Sequence, residues 1–262
     1  ITFIRTRKIR HLLSEVASKF YKLKPKNIFA VTGTNGKTSV ADLFYQILRI
    51  NNIPAASIGT LGVKYNDHII KTDLTSPDTI ELHKYLNFLK KKKIDNVIVE
   101  ASSHGLDQKR LHNIKFKAGI FTNFSQDHLD YHKNMRLYLN AKLILFKKIL
   151  KKNSSVISDD KIPQFKILKK ISKARNLKIL NIKKGVKKIE SFSQSFNDFK
   201  IKNLAMAING IKLCGLKEKL IYKAIKKIKD VNGRLELVKH YSNDVKVFVD
   251  YAHTPDALLK TL

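Results

Sequence analysis

The chain has 262 residues, 43% of them hydrophobic, which is enough to bury a core in one large α/β domain or two small ones. Its one cysteine, Cys214, excludes a disulfide framework and fits a reducing compartment such as the cytoplasm. A formal net charge of +31 would suit a nucleic-acid binder, but only eight of the 52 basic residues are arginine, the type that reads bases and phosphates best.

The pattern of charge and hydropathy also limits partners and location. The lysines are spread through every predicted element, so we expect no nucleic-acid partner and keep a basic binding module as an alternative only. No apolar run is long enough to cross a bilayer and no signal-peptide pattern is present, which predicts a cytoplasmic protein without membrane insertion. We expect a monomer. The chain lacks an initiator methionine and ends inside the helix-like run 255–262, so we expect it to be part of a longer protein.

Strands and helices alternate along the chain. Helical periodicity predicts helices at 8–21, 38–50, 79–93, 134–150, 164–175, 203–213 and 217–229. Apolar runs predict strands at 27–32, 54–60, 94–101, 117–122, 154–158, 177–182, 235–240 and 245–250, and residues 60–72 have the pattern of a hairpin. This alternation predicts an α/β fold with a mostly parallel sheet and helices on both faces, in which reactive residues lie at the carboxyl ends of strands.

A glycine-rich turn, Thr32 to Ser39, follows the first predicted strand and leads into the helix at 38–50. Backbone N–H groups of such a turn converge on phosphate oxygens, and the helix N-terminus adds positive potential. Lys37 would meet the β- and γ-phosphates and Thr38 a magnesium ion. Two residues separate Gly33 from Gly36, where the standard pattern has four, so a chance glycine turn is the alternative.

Two polar segments follow later predicted strands. Glu100 to Arg110 begins where a buried strand ends. If that strand neighbours the one before the glycine-rich turn, Glu100 is placed to hold magnesium; the alternative is a helix-capping segment with a solvated glutamate. Asn123 to His132 holds two histidines and two aspartates. We interpret His128 as a potential metal ligand through a neutral ring nitrogen, with the aspartates orienting the rings.

Four further residues carry no signal by pattern alone. Lys142, in the predicted helix 134–150, has the pattern of a surface lysine. Asn203, Arg234 and Asp250 lie where ordinary turn or helix-end chemistry would explain them.

Taken together, these segments resemble those of the Mur ligases, the ATP-dependent amide-forming enzymes of peptidoglycan assembly. Within the family, they are most similar to the branch that acts on UDP-N-acetylmuramoyl-L-alanyl-D-glutamate (MurE type). Two departures from the family pattern, Ala101 and Gln126, lie at positions to which no chemistry is assigned. The matching segments occur in the family's order and span nearly the whole chain: Gly33 to Thr38, Thr75 to Asp78, Glu100 to Arg110, Asp127 to His132, Asn140 to Lys142, Gly233 to Glu236 and Asp250 to Pro255.

The resemblance implies a role for each matching position. It implies ATP and Mg²⁺ as cofactors, a UDP-N-acetylmuramoyl dipeptide and a diamino acid such as meso-diaminopimelate as substrates, and Lys37, Lys142 and His128 as catalytic residues. ATP would be bound by Gly33, Thr34, Asn35, Gly36, Lys37, Thr38, Ser39, Asn203, Arg234 and Asp250. The muramoyl dipeptide would be bound by Thr75, Ser76, Ser102, Gln108 and Arg110. Magnesium would be bound by Thr38, Glu100, His128 and Lys142, the last as a carbamate, which requires a desolvated lysine of lowered pKa.

The resemblance also implies a two-step reaction in a three-domain protein. The dipeptide carboxylate would attack the γ-phosphate of ATP to give an acyl phosphate, and the amino-acid amine would then displace phosphate. Residues 1–24 would end an N-terminal UDP-binding domain, 25–255 would form the central P-loop-type ATPase domain, and 256–262 would start a C-terminal domain that determines amino-acid specificity. Because domain closure completes such sites, we do not expect this chain to be active alone.

The nearest alternative is a folylpolyglutamate synthase-like ligase, which shares the fold and a similar loop. In that family the loop lysine is usually followed by Gly-Ser, whereas here Lys37 is followed by Thr38 and Ser39. The Asp127 to His132 segment also resembles the Mur ligases more closely.

Overall fold

The computed structural model describes residues 5–191 and 196–262, so the first four residues of the predicted segment 1–24 lie outside the described residues. No helix among the described residues combines the length and apolar character needed to cross a membrane. In chain order the elements are α1 Ile9–Phe20, β1 Asn27–Thr32, α2 Lys37–Ile50, β2 Ala55–Gly59, β3 Gly62–Tyr65, β4 His68–Ile70, α3 Thr79–Lys91, β5 Asn96–Glu100, α4 Ser103–Asp107, β6 Ala118–Phe121, α5 Leu129–His132, α6 Met135–Ile144, β7 Ser155–Ser158, α7 Phe165–Arg175, β8 Lys178–Asn181, α8 Lys183–Glu190, α9 Asp198–Leu213, α10 Glu218–Ile225, β9 Glu236–His240, β10 Lys246–Val249 and α11 Pro255–Thr261.

The main sheet is mostly parallel, which confirms the predicted fold class. Within the described residues it has eight strands in the order β4-β3-β2-β5-β1-β6-β7-β8. Neighbouring strands in the part β2-β5-β1-β6-β7-β8 pair in parallel. β3 and β4 add an antiparallel edge next to β2, which corresponds to the predicted hairpin. Because β1 pairs with β5 on one side and β6 on the other, the segments that follow these three strands meet at one edge of the sheet.

The central strand β1 divides the core into two layers. Its side chains alternate between the faces of the sheet, as the pleat of a strand requires. Phe29 and Val31 pack on the side of α2 and α9, whereas Ile28 and Ala30 pack on the side of α3 and α7. Both faces are therefore covered by helices, which explains why the strand is a continuous apolar run with no polar alternation.

The structure corrects several predicted boundaries. The predicted helix 203–213 begins at Asp198, because Asn197 caps it by accepting the backbone N–H of Lys200. The predicted helix 134–150 is α6 followed by a π-helical turn, Leu145–Ile149. The predicted helix 217–229 ends at Ile225. The short helices α4, α5 and α8 have too few apolar positions for periodicity to reveal, and sequence reasoning missed them.

The last two strands lie outside the main sheet. β9 and β10, which confirm the predicted strands 235–240 and 245–250, pair only with each other as an antiparallel hairpin among the described residues. Residues on both strands, including Leu237 and Phe248, are exposed. Arg234 and Asp250 lie at the base of this hairpin, and so the hairpin brings both side chains to the site described below.

We expect the fold to lose stability in mild acid because of His83 on α3. His83 is fully buried, and burial, reinforced by the nearby Lys24 ammonium, lowers its pKa to about 4. Because the unfolded chain binds the proton with a pKa of about 6.5, the stabilisation is complete above pH 6.5 and is lost as the pH falls towards 4, by up to about 3 kcal/mol. Urea unfolding between pH 7 and 4, compared with His83→Leu, measures it. An equal pH dependence in the two proteins would contradict this assignment.

Candidate active site

The glycine-rich turn between β1 and α2 needs both of its glycines. Gly33 and Gly36 have φ of 149° and 83°, which side chains rarely adopt. A Cβ at Gly33 would overlap Thr122 Oγ1, and one at Gly36 would lie 2.6 Å from Asn203 Oδ1. The turn is therefore packed against the segment after β6 and against α9, which argues against a chance glycine turn.

Two residues after β6 hold the turn in place. Asn123 accepts the backbone N–H groups of Thr34 at its carbonyl oxygen (3.1 Å) and of Asn35 at Oδ1 (2.9 Å). Thr122 donates from Oγ1 to the Asn35 carbonyl at 2.6 Å. Sequence reasoning did not assign these residues a role; the signal available was a pair of polar residues directly after an apolar strand.

Two lysine amines converge on one carbonyl oxygen of the turn. Nζ of Lys142, on α6, donates to the Gly33 oxygen at 2.7 Å, and Nζ of Lys37 donates to the same oxygen at 3.0 Å. Lys37 also donates to the Thr34 oxygen at 2.6 Å. Lys142 is 1% exposed, so the interpretation as a surface lysine is wrong. Burial, and then repulsion from Lys37, lowers the pKa of Lys142 well below its ordinary value.

Tyr138, one turn before Lys142 on α6, contacts both Lys142 and the glycine-rich turn. Lys142 Nζ lies 4.3 Å from the centroid of the Tyr138 ring, within the range of a cation–π contact. The Tyr138 hydroxyl is 3.3 Å from Thr34 Oγ1, and burial raises the pKa of the phenol. The phenol therefore stays protonated and joins α6 to the turn. Sequence reasoning missed this residue because its apolar neighbours indicate a core position.

Glu100 lies at the end of β5, next to β1, as the magnesium hypothesis required. Its carboxylate is 1% exposed and accepts from Thr38 Oγ1 at 3.0 Å and from the backbone N–H of Thr60 at 2.9 Å. The alternative of a solvated glutamate is therefore wrong. Burial raises the pKa of Glu100, and the Lys37 ammonium opposes that shift.

Gly59 leaves the space that the Glu100 side chain occupies, since a Cβ at Gly59 would overlap the Glu100 carboxylate. We expect Gly59→Ala to destabilise the protein by about 1–3 kcal/mol, the usual cost of overpacking. Gly210→Ala is the matched control, because its Cβ would lie 3.5 Å from Phe44, an ordinary contact, and should be neutral or stabilise α9. Chemical denaturation of both variants measures this difference. Equal stabilities would show that Glu100 moves without cost.

His128 directly precedes α5 and lies beside Asp127. Its Nε2 is 3.2 Å from Asp127 Oδ2, and its φ of 51° is in the left-handed region. Burial lowers the pKa of His128, against the opposing effect of Asp127, so the ring is neutral at neutral pH and can act as a ligand. Within 5–191 and 196–262 no three His, Cys, Asp or Glu side chains form a group that could hold a metal. A magnesium ion here would therefore need oxygen atoms from water and phosphate in addition to protein ligands.

A second hydrogen-bonded group lies on the other side of Glu100. Ser76 donates from Oγ to the Glu100 backbone oxygen at 2.7 Å and lies 3.0 Å from Ser102 Oγ. Arg110 donates from Nη1 to the Ser76 backbone oxygen at 2.8 Å and from Nε to Gln108 Oε1 at 3.0 Å. Four of the five predicted substrate-binding residues are thus joined in one network.

The base of the β9–β10 hairpin reaches the turn through Arg234. Its Nη2 donates to Thr38 Oγ1 at 3.2 Å, and its guanidinium carbon lies 4.8 Å from the Tyr251 ring centroid. Asp250 accepts the Leu235 backbone N–H at 2.6 Å, which fixes the loop that carries Arg234. Arg234 therefore adds a positive charge beside the turn.

Many of the residues described above line one cavity of about 300 Å³. Among the described residues, the predicted positions that do not line it are Gly33, Ser76, Glu100, Gln108 and Arg110. A nucleotide phosphate could bind here to backbone N–H groups, Lys37 and Arg234. The predicted positions that line the cavity are Thr34, Asn35, Gly36, Lys37, Thr38, Ser39, Thr75, Ser102, His128, Lys142, Asn203, Arg234 and Asp250.

Comparison with known proteins gives consistent results. Residues 31–218 match the family described as the Mur ligase middle domain. The chain is 35% identical over 276 residues to the UDP-N-acetylmuramoyl-L-alanyl-D-glutamate–2,6-diaminopimelate ligase of Brucella melitensis biotype 1, covering 97% of this chain and 57% of that protein. It is 37% identical over 282 residues to the ligase of the same name from Rickettsia bellii, covering 97% and 58%. The chain therefore spans somewhat more than half the length of the curated relatives it matches.

Solved structures show the same fold. A UDP-N-acetylmuramoyl-L-alanyl-D-glutamate–2,6-diaminopimelate ligase superposes with a TM-score of 0.75 at 24% identity, covering 97% of this chain and 56% of that one. The folylpolyglutamate synthase of Thermotoga maritima superposes with a TM-score of 0.69 at 16% identity, covering 98% and 70%. At these identities the structures establish the fold alone.

Proposed function

This chain belongs to the Mur ligase family, and from that membership we propose that it is the nucleotide-binding core of an ATP-dependent ligase. The ligase adds a diamino acid, meso-diaminopimelate, to UDP-N-acetylmuramoyl-L-alanyl-D-glutamate in peptidoglycan synthesis. One observation carries the proposal: Lys37, Lys142 and the Thr38–Glu100 pair are brought together at one glycine-rich turn. The names of the curated relatives supply the substrates.

The first chemical step brings two anions together, the carboxylate of the dipeptide and the γ-phosphate of ATP. Lys37 would neutralise the β- and γ-phosphates, while the turn's backbone N–H groups would bind their oxygens; Lys37 lines the cavity beside the turn, which supports this role. Arg234 adds a second cation beside Thr38. Transfer of the γ-phosphoryl group to the carboxylate gives an acyl phosphate and releases ADP. The amine of the diamino acid then attacks the acyl carbonyl carbon, loses a proton and displaces phosphate.

The site fits magnesium through its donor set. Glu100 offers a buried carboxylate, Thr38 a hydroxyl and His128 a neutral ring, and substrate phosphates complete such sites in other enzymes. Bound magnesium would spread the negative charge of the transferring phosphoryl group. Lys142 would join this set as a carbamate. Burial lowers the pKa of Lys142 and so favours the neutral amine, which is the form that reacts with CO₂.

The remaining assignments place the two substrates. Thr75, Ser76, Ser102, Gln108 and Arg110 would bind the muramoyl dipeptide, since Thr75 and Ser102 line the cavity and the last four form one hydrogen-bonded network beside Glu100. On the nucleotide side, Asn203 would approach the adenine, while Arg234 and Asp250 would serve the phosphate and ribose; all three line the cavity.

We also propose the organisation of the complete protein. Residues 1–24 end a UDP-binding domain, 25–255 form the ATPase domain, and 256–262 begin a domain that selects the amino acid. The protein acts as a cytoplasmic monomer without a nucleic-acid partner, which agrees with the scattered lysines.

Phosphate release by the complete gene product containing this chain tests the function. All reactions contain ATP and magnesium. Two contain the muramoyl dipeptide, one with diaminopimelate and one with lysine, and a third contains folate and glutamate instead. Release that requires the dipeptide and diaminopimelate is expected. Release only with folate would favour the folylpolyglutamate synthase alternative, and nucleic-acid binding with no nucleotide affinity would favour the basic module.

We expect His128→Ala to raise the magnesium concentration needed for half-maximal activity, because one ligand is lost. Alanine also carries a cost at a φ of 51°, so His128→Asn, which tolerates that region, separates the metal effect from backbone strain. His68→Ala, at an exposed histidine on β4, is the control. An unchanged magnesium titration in both His128 variants would leave His128 with a structural role.

A further inference from the structure

Thr60, directly after β2, contacts both halves of the site. Its hydroxyl donates to Glu100 Oε2 at 3.3 Å, while its backbone N–H donates to Oε1. The same hydroxyl lies 3.2 Å from Thr75 Oγ1. Since Glu100 also accepts from Thr38, a continuous row of hydrogen bonds runs from Thr38 through Glu100 and Thr60 to Thr75.

The direction of this row follows from counting protons. A threonine hydroxyl has one proton and two lone pairs, and an ionised carboxylate only accepts. Because the Thr60 hydroxyl donates its proton in the hydrogen bond to Glu100, the contact between the two hydroxyls must be a donation from Thr75 to Thr60. In this arrangement the proton of Thr75 is used in the bond to Thr60 and is not available to another acceptor.

A cation at the carboxylate would reverse this order. It would take up the lone pairs of Glu100 that the Thr60 hydroxyl now uses. The Thr60 proton would then turn to Thr75 Oγ1, and Thr75 would be free to donate to an anionic oxygen. Thr75 lines the same cavity as the turn, so such a ligand lies within its reach.

We propose that Thr60 is a positioning residue that couples the two half-sites: occupation of the nucleotide–magnesium side strengthens binding of the anionic acceptor at Thr75, and the reverse. Coupling of this kind is reciprocal by thermodynamic necessity. This inference rests on the proposed function. It gives the site a way to favour the complex in which both reactants of the first step are present.

Two substitutions separate the hydroxyl from the shape of Thr60. Thr60→Val keeps the shape of the side chain and the backbone N–H bond to Glu100, but it removes the hydroxyl that joins Glu100 to Thr75 in the row of hydrogen bonds. Thr60→Ser keeps the hydroxyl and loses a methyl group. A residue that only shapes the end of β2 would respond to both changes.

Calorimetry on the complete gene product measures the coupling without turnover. The probes are UDP-N-acetylmuramoyl-L-alanyl-D-glutamate and a magnesium complex of a non-hydrolysable ATP analogue, each titrated with and without the other. We expect the factor by which one tightens the other to fall about 3- to 10-fold in Thr60→Val, the usual worth of one hydrogen bond, and to change less than about twofold in Thr60→Ser. Thr75→Val cuts the row on the other side of Thr60 and should lower the coupling factor equally.

The outcomes are distinct. A coupling factor unchanged in Thr60→Val, or lowered equally in Thr60→Ser, would overturn the inference while leaving the ligase assignment intact. A parent protein that binds neither probe would overturn the proposed function itself. If Thr60→Val does not fold, Thr75→Val is the deciding variant. An unchanged coupling factor in Thr75→Val would then overturn the inference.

Discussion

Replacing Lys37 with alanine should reduce ATP turnover by the complete gene product at least about 100-fold, the scale of removing one preorganised charge-stabilising donor. The Lys37 amine contacts the carbonyl oxygens of Gly33 and Thr34 and is held at the turn where the phosphates would bind. Burial lowers the pKa of Lys37, but the Glu100 and Asp127 carboxylates favour its charged form. Steady-state phosphate release measures the loss.

Lys229→Ala is the matched control for Lys37. Lys229 lines the same cavity and carries the same charge but lies outside the turn. If the general positive field of the cavity were responsible, the two variants would lose similar activity. Turnover by Lys37→Ala within about threefold of the parent would remove the phosphate role from Lys37, since such a change is under 1 kcal/mol.

Lys142→Ala should be nearly inactive and should regain part of its activity when a small carboxylic acid is supplied. The alanine leaves a buried space beside the Gly33 carbonyl, in which a carboxylate would stand in for the carbamate proposed above. The loss should not come from unfolding, because the amine is desolvated in the folded state and its removal relieves the repulsion from Lys37. Activity against acid concentration, with a thermal melt of each variant, measures both effects.

Two controls define the meaning of that rescue. Lys147→Ala, at an exposed lysine just beyond α6, should keep the parent activity. Lys37→Ala should not respond to carboxylic acids, because an anion cannot replace its charge. A parental rate for Lys142→Ala would remove the carbamate hypothesis, and an inactive variant that no acid rescues would leave Lys142 with a cationic role.

The sequence predicted the fold class well because its signals are local. The apolar run of β1 and the glycines after it mark a strand and a turn without knowledge of partners. Helix limits were less accurate, since the start of α9 depends on one capping bond from Asn197. The two-layered core could be expected from alternation alone, but the pairing of β1 with β5 could only be assumed.

The site shows where sequence reasoning stops. Glu100 and the glycine-rich turn were predicted from their position after strands. The burial of Lys142 could not be predicted from the sequence, because no strand end or glycine turn marks its position on α6. Only the tertiary fold brings its amine to Gly33. Thr60 and Tyr138 were missed because their importance lies in contacts with residues far away along the chain. Thr122 has a local signal, its place after β6, but its bond to Asn35 also depends on the tertiary fold.

The central place of β1 has a consequence for how the protein is made. The strand leaves the ribosome before its two neighbours, because β1 ends at Thr32 whereas β5 begins at Asn96 and β6 at Ala118, and Lys142 comes later still. Such non-local pairing is slow, because a long loop must close before any contact forms. The nascent chain must therefore hold an apolar strand unpaired from the end of β1 at Thr32 until β5, Asn96–Glu100, has been made, a period in which it is open to aggregation. Affinity for nucleotide should appear only after β5, β6 and α6 have been made, and would report that the centre of the sheet has closed.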